Sequence, residues 1–388
     1  MLSGSISSTR ALAFANWLVG PARTTLTPVE IVEQSCERLL AAGAPLWQVR
    51  IGQRLANPLI GAWGVLWKRG SGAEQYNVPR SMLATNSYAG SPFQHVIETR
   101  TGFRRSLLHL DPAHDHPVLF ELASAGGTDY LAIPMLYGDG SVQGGAFTTD
   151  DSAGFRPDDI ATIEQIGPFL AAALEPAAMR RSMESLLKTY LGNDPAQRIS
   201  NGAIRRGDQV EIEAAVLLTD LRGFTSLPEE QRFSRLGEYL EMIVEAVHAE
   251  QGDVLKFIGD GVLSIFPVKE GGRSNACFLA FRALARALKR AARTGEMSFV
   301  GCLNVGPVTY GNVGSLDRLD FTVVGPTVNF LSRLEMAAKD IDCPAVCSEG
   351  FAACLPTELT APLGRFSLKG FPDQQAVFKL NMPDFDSA

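Results

Sequence analysis

The sequence lacks any apolar run approaching the roughly 20 residues that a membrane helix needs, so no membrane partner is expected. It also lacks a surplus of positive charge: 35 Lys and Arg stand against 42 Asp and Glu, a net charge of −7. That balance argues against nucleic acid as a partner, because domains that grip a phosphate backbone are normally basic. Cysteine is sparse at six residues, and Cys343, Cys347 and Cys354 do not form the Cys-x-x-Cys pairs of a zinc site. Free or buried thiols in a reducing, cytoplasmic compartment are the expectation. Histidine is scarcer still, five in all. His95 and the cluster His109, His114 and His116 lie in the first half, where a solvated loop accounts for the cluster with fewer assumptions than a metal or haem site. What is present is 46% hydrophobic and 20% charged residues over 388 positions. That suffices to bury real cores in two or three domains.

The segment Ala11–Val19 follows Arg10 and imitates a secretion signal, but it is short, contains Asn16, and no clear cleavage site follows. It reads as an amphipathic helix. A second helix opens on Thr27 as cap, Pro28 in the first turn and Glu30 reaching back, and ends at Gly43. From about Trp47 to Phe147 short strands take over, clearest at 61–67, 129–136 and 144–147. Trp63 and Trp67 share a strand face there, a core pattern more often than a ligand pocket. A helix from Pro157 turns Ile160, Ile163, Ile166, Phe169 and Leu170 inward. Helix, antiparallel strands, helix is an α+β order suited to sensing, and it resembles a GAF domain over residues 1–175. Its signal, a small molecule or a protein, is not legible. Met179, Met183, Leu186 and Tyr190 then recur at alternating four and three, the seam of a short two-helix coil in a helical connector spanning 176–210.

The chemistry lies further on. Ala215–Leu218 is an apolar run, read as a strand buried on both faces, that ends at Asp220 and a glycine-containing turn. A carboxylate at a strand end, with free amides just beyond it, can hold a divalent cation beside phosphate oxygens. An amphipathic helix follows, with Leu236, Tyr239, Leu240, Ile243, Val244 and Val247 at helical spacing. Then two strand-like runs flank Asp260-Gly261, a hairpin signal with the turn placed on those two residues. If that hairpin pairs with the first strand, Asp220 and Asp260 make a site for paired Mg²⁺ or Mn²⁺ on a polyphosphate.

These segments resemble the class III nucleotide cyclase catalytic domain. Thr219–Thr225 and Lys256–Gly261 are similar to its two metal-binding segments, Gly306–Gly314 to its central strand, Phe321–Arg333 to its interface helix with the preceding strand, and Phe366–Gly370 to its closing hairpin. The resemblance implies an α+β fold with a ferredoxin-like catalytic domain over 211–382. It implies an adenylate cyclase that uses two divalent cations, Mg²⁺ or Mn²⁺, held by Asp220, Leu221 and Asp260. Phe224 and Thr225 would contact substrate, and Lys369 the terminal phosphate. Asn329 and Arg333, four apart on one helix face, would orient the ribose and meet developing phosphoryl charge, with Val328, Leu331 and Leu334 at an interface. Lys256 donating to adenine N1, with Thr322 accepting from its amino group, favours ATP over GTP. Thr322 stands where many relatives have Asp; that departure is the class IIIb pattern and makes bicarbonate a candidate stimulus. Asn304 replaces a common His, with no mechanism attached. Because each chain carries both half-sets once, a head-to-tail homodimer is implied. A guanylate cyclase, or a nucleotide-binding module that has lost turnover, is the alternative.

Overall fold

The computed structural model describes residues 12–85, 87–224, 227–295, 297–315 and 317–382. The chain divides into two compact units, Met1–Thr189 and Tyr190–Ala388.

The first unit is built on an antiparallel sheet in the order β3-β2-β1-β6-β5-β4. Its strands are β1 (Gln48–Arg54), β2 (Ile60–Lys68), β3 (Gly72–Pro79), β4 (Phe103–Ser106), β5 (Asp129–Leu136) and β6 (Val142–Thr149). The helix Pro28–Ala41 has the expected capping box: Thr27 Oγ1 accepts from the Glu30 amide while Glu30 accepts from the Thr27 amide. Trp63 and Trp67 are buried in the core beside Ile163, Ile166 and Leu170. Phe169, expected inward, is exposed: between Ile166 and Leu170, it falls just outside the arc of helix that faces the sheet. The histidine cluster has local duties. His114 pairs with Asp111, and His116 Nδ1 caps the helix Pro117–Ser124 by accepting from the Val118 amide.

The helix expected to close the first domain and the expected connector are one element, Pro157–Leu191, which carries Pro168 and Pro176 within it. One face of its C-terminal stretch is tied to the first unit. Arg181 lies over the Trp63 ring and bonds to Gln75 and Asn77, while Asn57 donates to Ser185 and Thr189. Those residues recur every four positions and are held. The seam residues are not: Met179, Met183, Leu186 and Tyr190 all stay exposed. Gly192, at φ 90°, ends the helix, and a short helix, Asn193–Ser200, begins directly after it with Pro195 in its first turn.

The second unit holds an eight-stranded sheet. β7 (Gln209–Leu221) leads to a helix (Glu229–Ala249), the hairpin β8 (Asp253–Ile258) and β9 (Gly261–Pro267), a second helix (Gly272–Thr294) and β10 (Phe299–Gly314). Strand order β10-β7-β9-β8 with antiparallel pairing is the ferredoxin-like β-α-β-β-α-β arrangement. β11 (Leu319–Val324) pairs with β10, and β12 (Ala345–Ser348), β14 (Gln375–Leu380) and β13 (Thr360–Phe366) extend the sheet past it. Burial on both faces explains the unbroken apolar run of β7. Ala215 and Leu217 pack under the two long helices, whereas Val216 and Leu218 pack with the helix Pro326–Asp340 on the other side.

Among the long-helix residues, Tyr239 is fully buried and its hydroxyl bonds Thr219 Oγ1 at 2.7 Å, directly before Asp220. Removing that hydroxyl strands a buried partner, so Tyr239→Phe should cost about 1–2 kcal/mol, read as an earlier urea transition. An unchanged midpoint would show that the bond does not help to seat the strand end.

Candidate active site

Asp220 lies at the end of a central strand. It faces Gly261 of β9 on one side and Val300 of β10 on the other, and the ladder continues through Arg222, whose amide donates to the Ser298 carbonyl at 2.8 Å. The β8–β9 hairpin brings up the second carboxylate. Its two-residue turn is Gly259-Asp260, one position earlier than expected, because Ile258 and Gly261 already pair as ladder residues. Gly259 takes the left-handed conformation that this tight turn requires, at φ 64°. Gly261 is needed for another reason: a Cβ there would come within 3.1 Å of the Thr219 carbonyl and 3.4 Å of Asp220 Oδ1.

Asp220 and Asp260 line one cleft of about 460 Å³ together with Leu221, Arg222, Gly223, Phe224 and Lys339. Asp220, Leu221, Asp260 and Phe224 thus lie together, while Thr225 lies outside the described residues. Two residues not anticipated complete the electrostatics. Lys339 is ion-paired to Asp220, and its Nζ also lies 2.6 Å from Glu335. Partial burial alone would lower the Lys339 pKa, but the hydrogen bonds its ammonium donates to the two carboxylates outweigh it and lift the value to about 12. Arg222, in the same cleft, pairs with Asp342. The spacing of Glu335 and Lys339, four apart in a helix, is the sequence signal that would have exposed their pairing.

A divalent cation fits this donor set in part. Among the described residues no group of three or more His, Cys, Asp or Glu gathers to hold a metal unaided. Two carboxylates at a strand end are a partial shell of hard oxygens, of the kind Mg²⁺ completes with substrate phosphates and water. The ammonium of Lys339 on Asp220 shows that the position attracts positive charge.

The remaining expected residues stand apart from that cleft. Lys256 on β8 donates to Asp320 of β11 at 2.7 Å. Thr322 shares a strand face with Asp320, being two residues along. It is 3% exposed, and its hydroxyl has no hydrogen-bond partner among the described residues. Asn329 and Arg333 follow on the helix Pro326–Asp340, Asn329 exposed and Arg333 half-buried. Neither side chain has a polar partner among the described residues. Lys369 is exposed on the turn between β13 and β14. The apolar residues interleaved with Asn329 and Arg333 do not form an interface. Leu331 and Leu334 are fully buried in this unit's own core and Val328 packs against it, because the helix must cover the sheet face of Val216 and Val300. Asn304 acquires a local explanation: buried on β10, it donates to the Thr327 carbonyl at 2.9 Å and accepts from Ser348 Oγ at 2.6 Å, fastening the helix start to the sheet.

No family model matches the chain. An adenylate cyclase of Anabaena cylindrica is 29% identical over 218 residues, 50% of this chain and 43% of that protein. Adenylate cyclase 1 of Rhizobium meliloti is 30% identical over 171 residues, 41% of this chain and 26% of that protein. The chain therefore spans less than half the length of these curated relatives. Among solved structures, the adenylyl cyclase CyaB from P. aeruginosa is 23% identical at a TM-score of 0.40, covering 46% of this chain and 99% of that one. Two named adenylate cyclases are thus similar to this chain over 50% and 41% of its length, and its second unit brings Asp220 and Asp260 into one cleft.

Proposed function

We propose that the chain is an adenylate cyclase, converting ATP to 3′,5′-cyclic AMP and pyrophosphate under control of its first unit. The observation that carries this reading is the meeting of Asp220 and Asp260, from a strand end and a hairpin turn, in one cleft of about 460 Å³. The bond formed joins the ribose 3′-oxygen to the α-phosphorus; the bond broken links the α-phosphorus to pyrophosphate, and the hydroxyl proton passes to water. Asp220 and Asp260 would hold divalent cations there, which when bound acidify the 3′-hydroxyl and neutralise the triphosphate. Arg333 meets the charge that gathers on the α-phosphate, and Asn329 fixes the sugar for in-line approach. Both side chains are uncommitted among the described residues, as groups awaiting a substrate must be. Lys369 supplies a point charge to the terminal phosphate.

For the base, Lys256 donates to adenine N1, and the unspent hydroxyl of Thr322 accepts from the amino group. Asp320 keeps the Lys256 ammonium on the strand face that carries Thr322. With purified full-length protein, Mn²⁺-ATP should turn over faster than Mn²⁺-GTP, releasing pyrophosphate and cyclic AMP in equal amounts. Lys256→Glu places an acceptor where guanine offers a donor, so the ATP-to-GTP ratio of kcat/KM should fall by about tenfold or more. Preferred turnover of GTP by the unmodified chain points instead to a guanylate cyclase.

The active unit in this reading is a head-to-tail homodimer. The exposed stripe Met179, Met183, Leu186 and Tyr190 supports it, since the opposite face of the same helix is already tied to the sheet by Arg181, Ser185 and Thr189. A second copy covers such a stripe by pairing along it. The first unit then acts as a GAF-like sensor at residues 1–175, passing its state along the 176–210 connector.

A further inference from the structure

The cation on Asp220 belongs to the chain itself. Lys339 stands in the last turn of the helix Pro326–Asp340, ion-paired to the Asp220 carboxylate and braced by Glu335 one turn earlier. Asp220 is 16% exposed and Glu335 19%, whereas Lys339 is 42% exposed on its flexible stem. The other cation in the cleft, Arg222, is drawn off to Asp342. An ammonium and a divalent cation brought to one carboxylate repel each other and divide its charge, so a lysine already there weakens the hold on a metal. A lysine stem open to solvent can leave without disturbing the core, and Glu335 keeps a partner for it after it does.

We infer that Lys339 is a resident competitor for the metal position, closing Asp220 to free divalent cations until a polyphosphate brings them in. This rests on reading Asp220 as a cation ligand. In the nucleotide-free chain the carboxylate charge is already neutralised, so a metal arriving alone gains only the difference between itself and the lysine. A metal arriving on a triphosphate adds its phosphate oxygens to the exchange, and that surplus expels Lys339. The device makes metal loading depend on substrate.

The test reads Mn²⁺ binding to nucleotide-free, full-length protein, from the loss of the free-ion electron spin resonance signal. Lys339→Gln, nearly isosteric and neutral, should bind Mn²⁺ about tenfold tighter than wild type, equivalent to ~1.4 kcal/mol. Lys339→Arg keeps the charge and should stay near wild type. Adding Asp220→Asn to Lys339→Gln should abolish the gain. Equal or weaker Mn²⁺ binding by Lys339→Gln overturns the inference, as does a gain that survives the loss of the Asp220 charge. Turnover is scored separately. A chain that cyclises ATP but shows no change of Mn²⁺ affinity in Lys339→Gln refutes the competitor alone. A tighter site in a chain that turns over neither ATP nor GTP refutes the cyclase reading alone.

Discussion

Asp220→Ala and Arg333→Ala should each be inactive when pure and should regain cyclase activity when their chains are mixed. Asp220 and Asp260 line a cleft whose walls include neither Arg333, Asn329, Lys256 nor Thr322. Those four sit on β8, β11 and the helix that follows, with Thr322, Asn329 and Arg333 lacking polar partners among the described residues. In the proposed reading one chain presents two half-sets, and a two-fold partner would bring the second half-set to the first. Losing Asp220 removes a charge that the triphosphate complex needs. Losing Arg333 removes preorganised charge at the transition state, an effect of about 10²–10³ in kcat for a single well-placed group. In a random mixture half the dimers carry one chain of each kind. Each such dimer has one intact site and one site lacking both groups, so recovery should reach about a quarter of wild-type activity. No recovery, with heterodimers demonstrated by pull-down of differently tagged chains, would exclude a shared site.

The two carboxylates were legible because each sits on a local signal that tertiary context rarely overrides. An apolar run ends at Asp220, and a left-handed glycine turn carries Asp260. Even there the turn fell one residue early, since Gly261 is drawn into the ladder opposite Asp220 and Gly259 takes the strained conformation instead. Helical periodicity found the inward residues of the helix from Pro157 but overreached at Phe169, which lies at the rim of the buried arc where spacing alone cannot decide. The helix of Asn329 and Arg333 shows a deeper limit. Its pattern says that Leu331 and Leu334 are buried, but not by what, and the answer is this unit's own sheet. Lys339 was missed for a similar reason. Its pairing with Glu335 is written in a four-residue spacing, whereas its contact with Asp220, 119 positions away, exists only once the sheet has closed. Asn304 likewise has meaning only through Thr327 and Ser348.

Asp260→Asn should abolish turnover while leaving the fold untouched, and it should differ from Asp220→Asn in a way that separates their roles. Asp260 stands on a turn and has no ion-pair partner among the described residues, so exchanging one oxygen for an amide costs the folded chain nothing that the structure shows. What it costs is charge. A hard cation prefers anionic oxygen, and with two carboxylates lining the cleft among the described residues the amide halves the carboxylate charge there. Turnover at saturating Mn²⁺-ATP should fall by about 10³-fold or more, with the urea transition unmoved. Asp220→Asn should be as inactive but also slightly less stable. It releases Lys339 from its ion pair, and because Lys339 is nearly half exposed that contribution is screened to below about 1 kcal/mol. The pair of measurements therefore discriminates: two dead variants, one with native stability and one with a small loss that Lys339→Gln reproduces on its own. Near-normal rates in purified Asp260→Asn with saturating Mn²⁺ would refute its role as a metal ligand and leave the hairpin turn with a structural task alone.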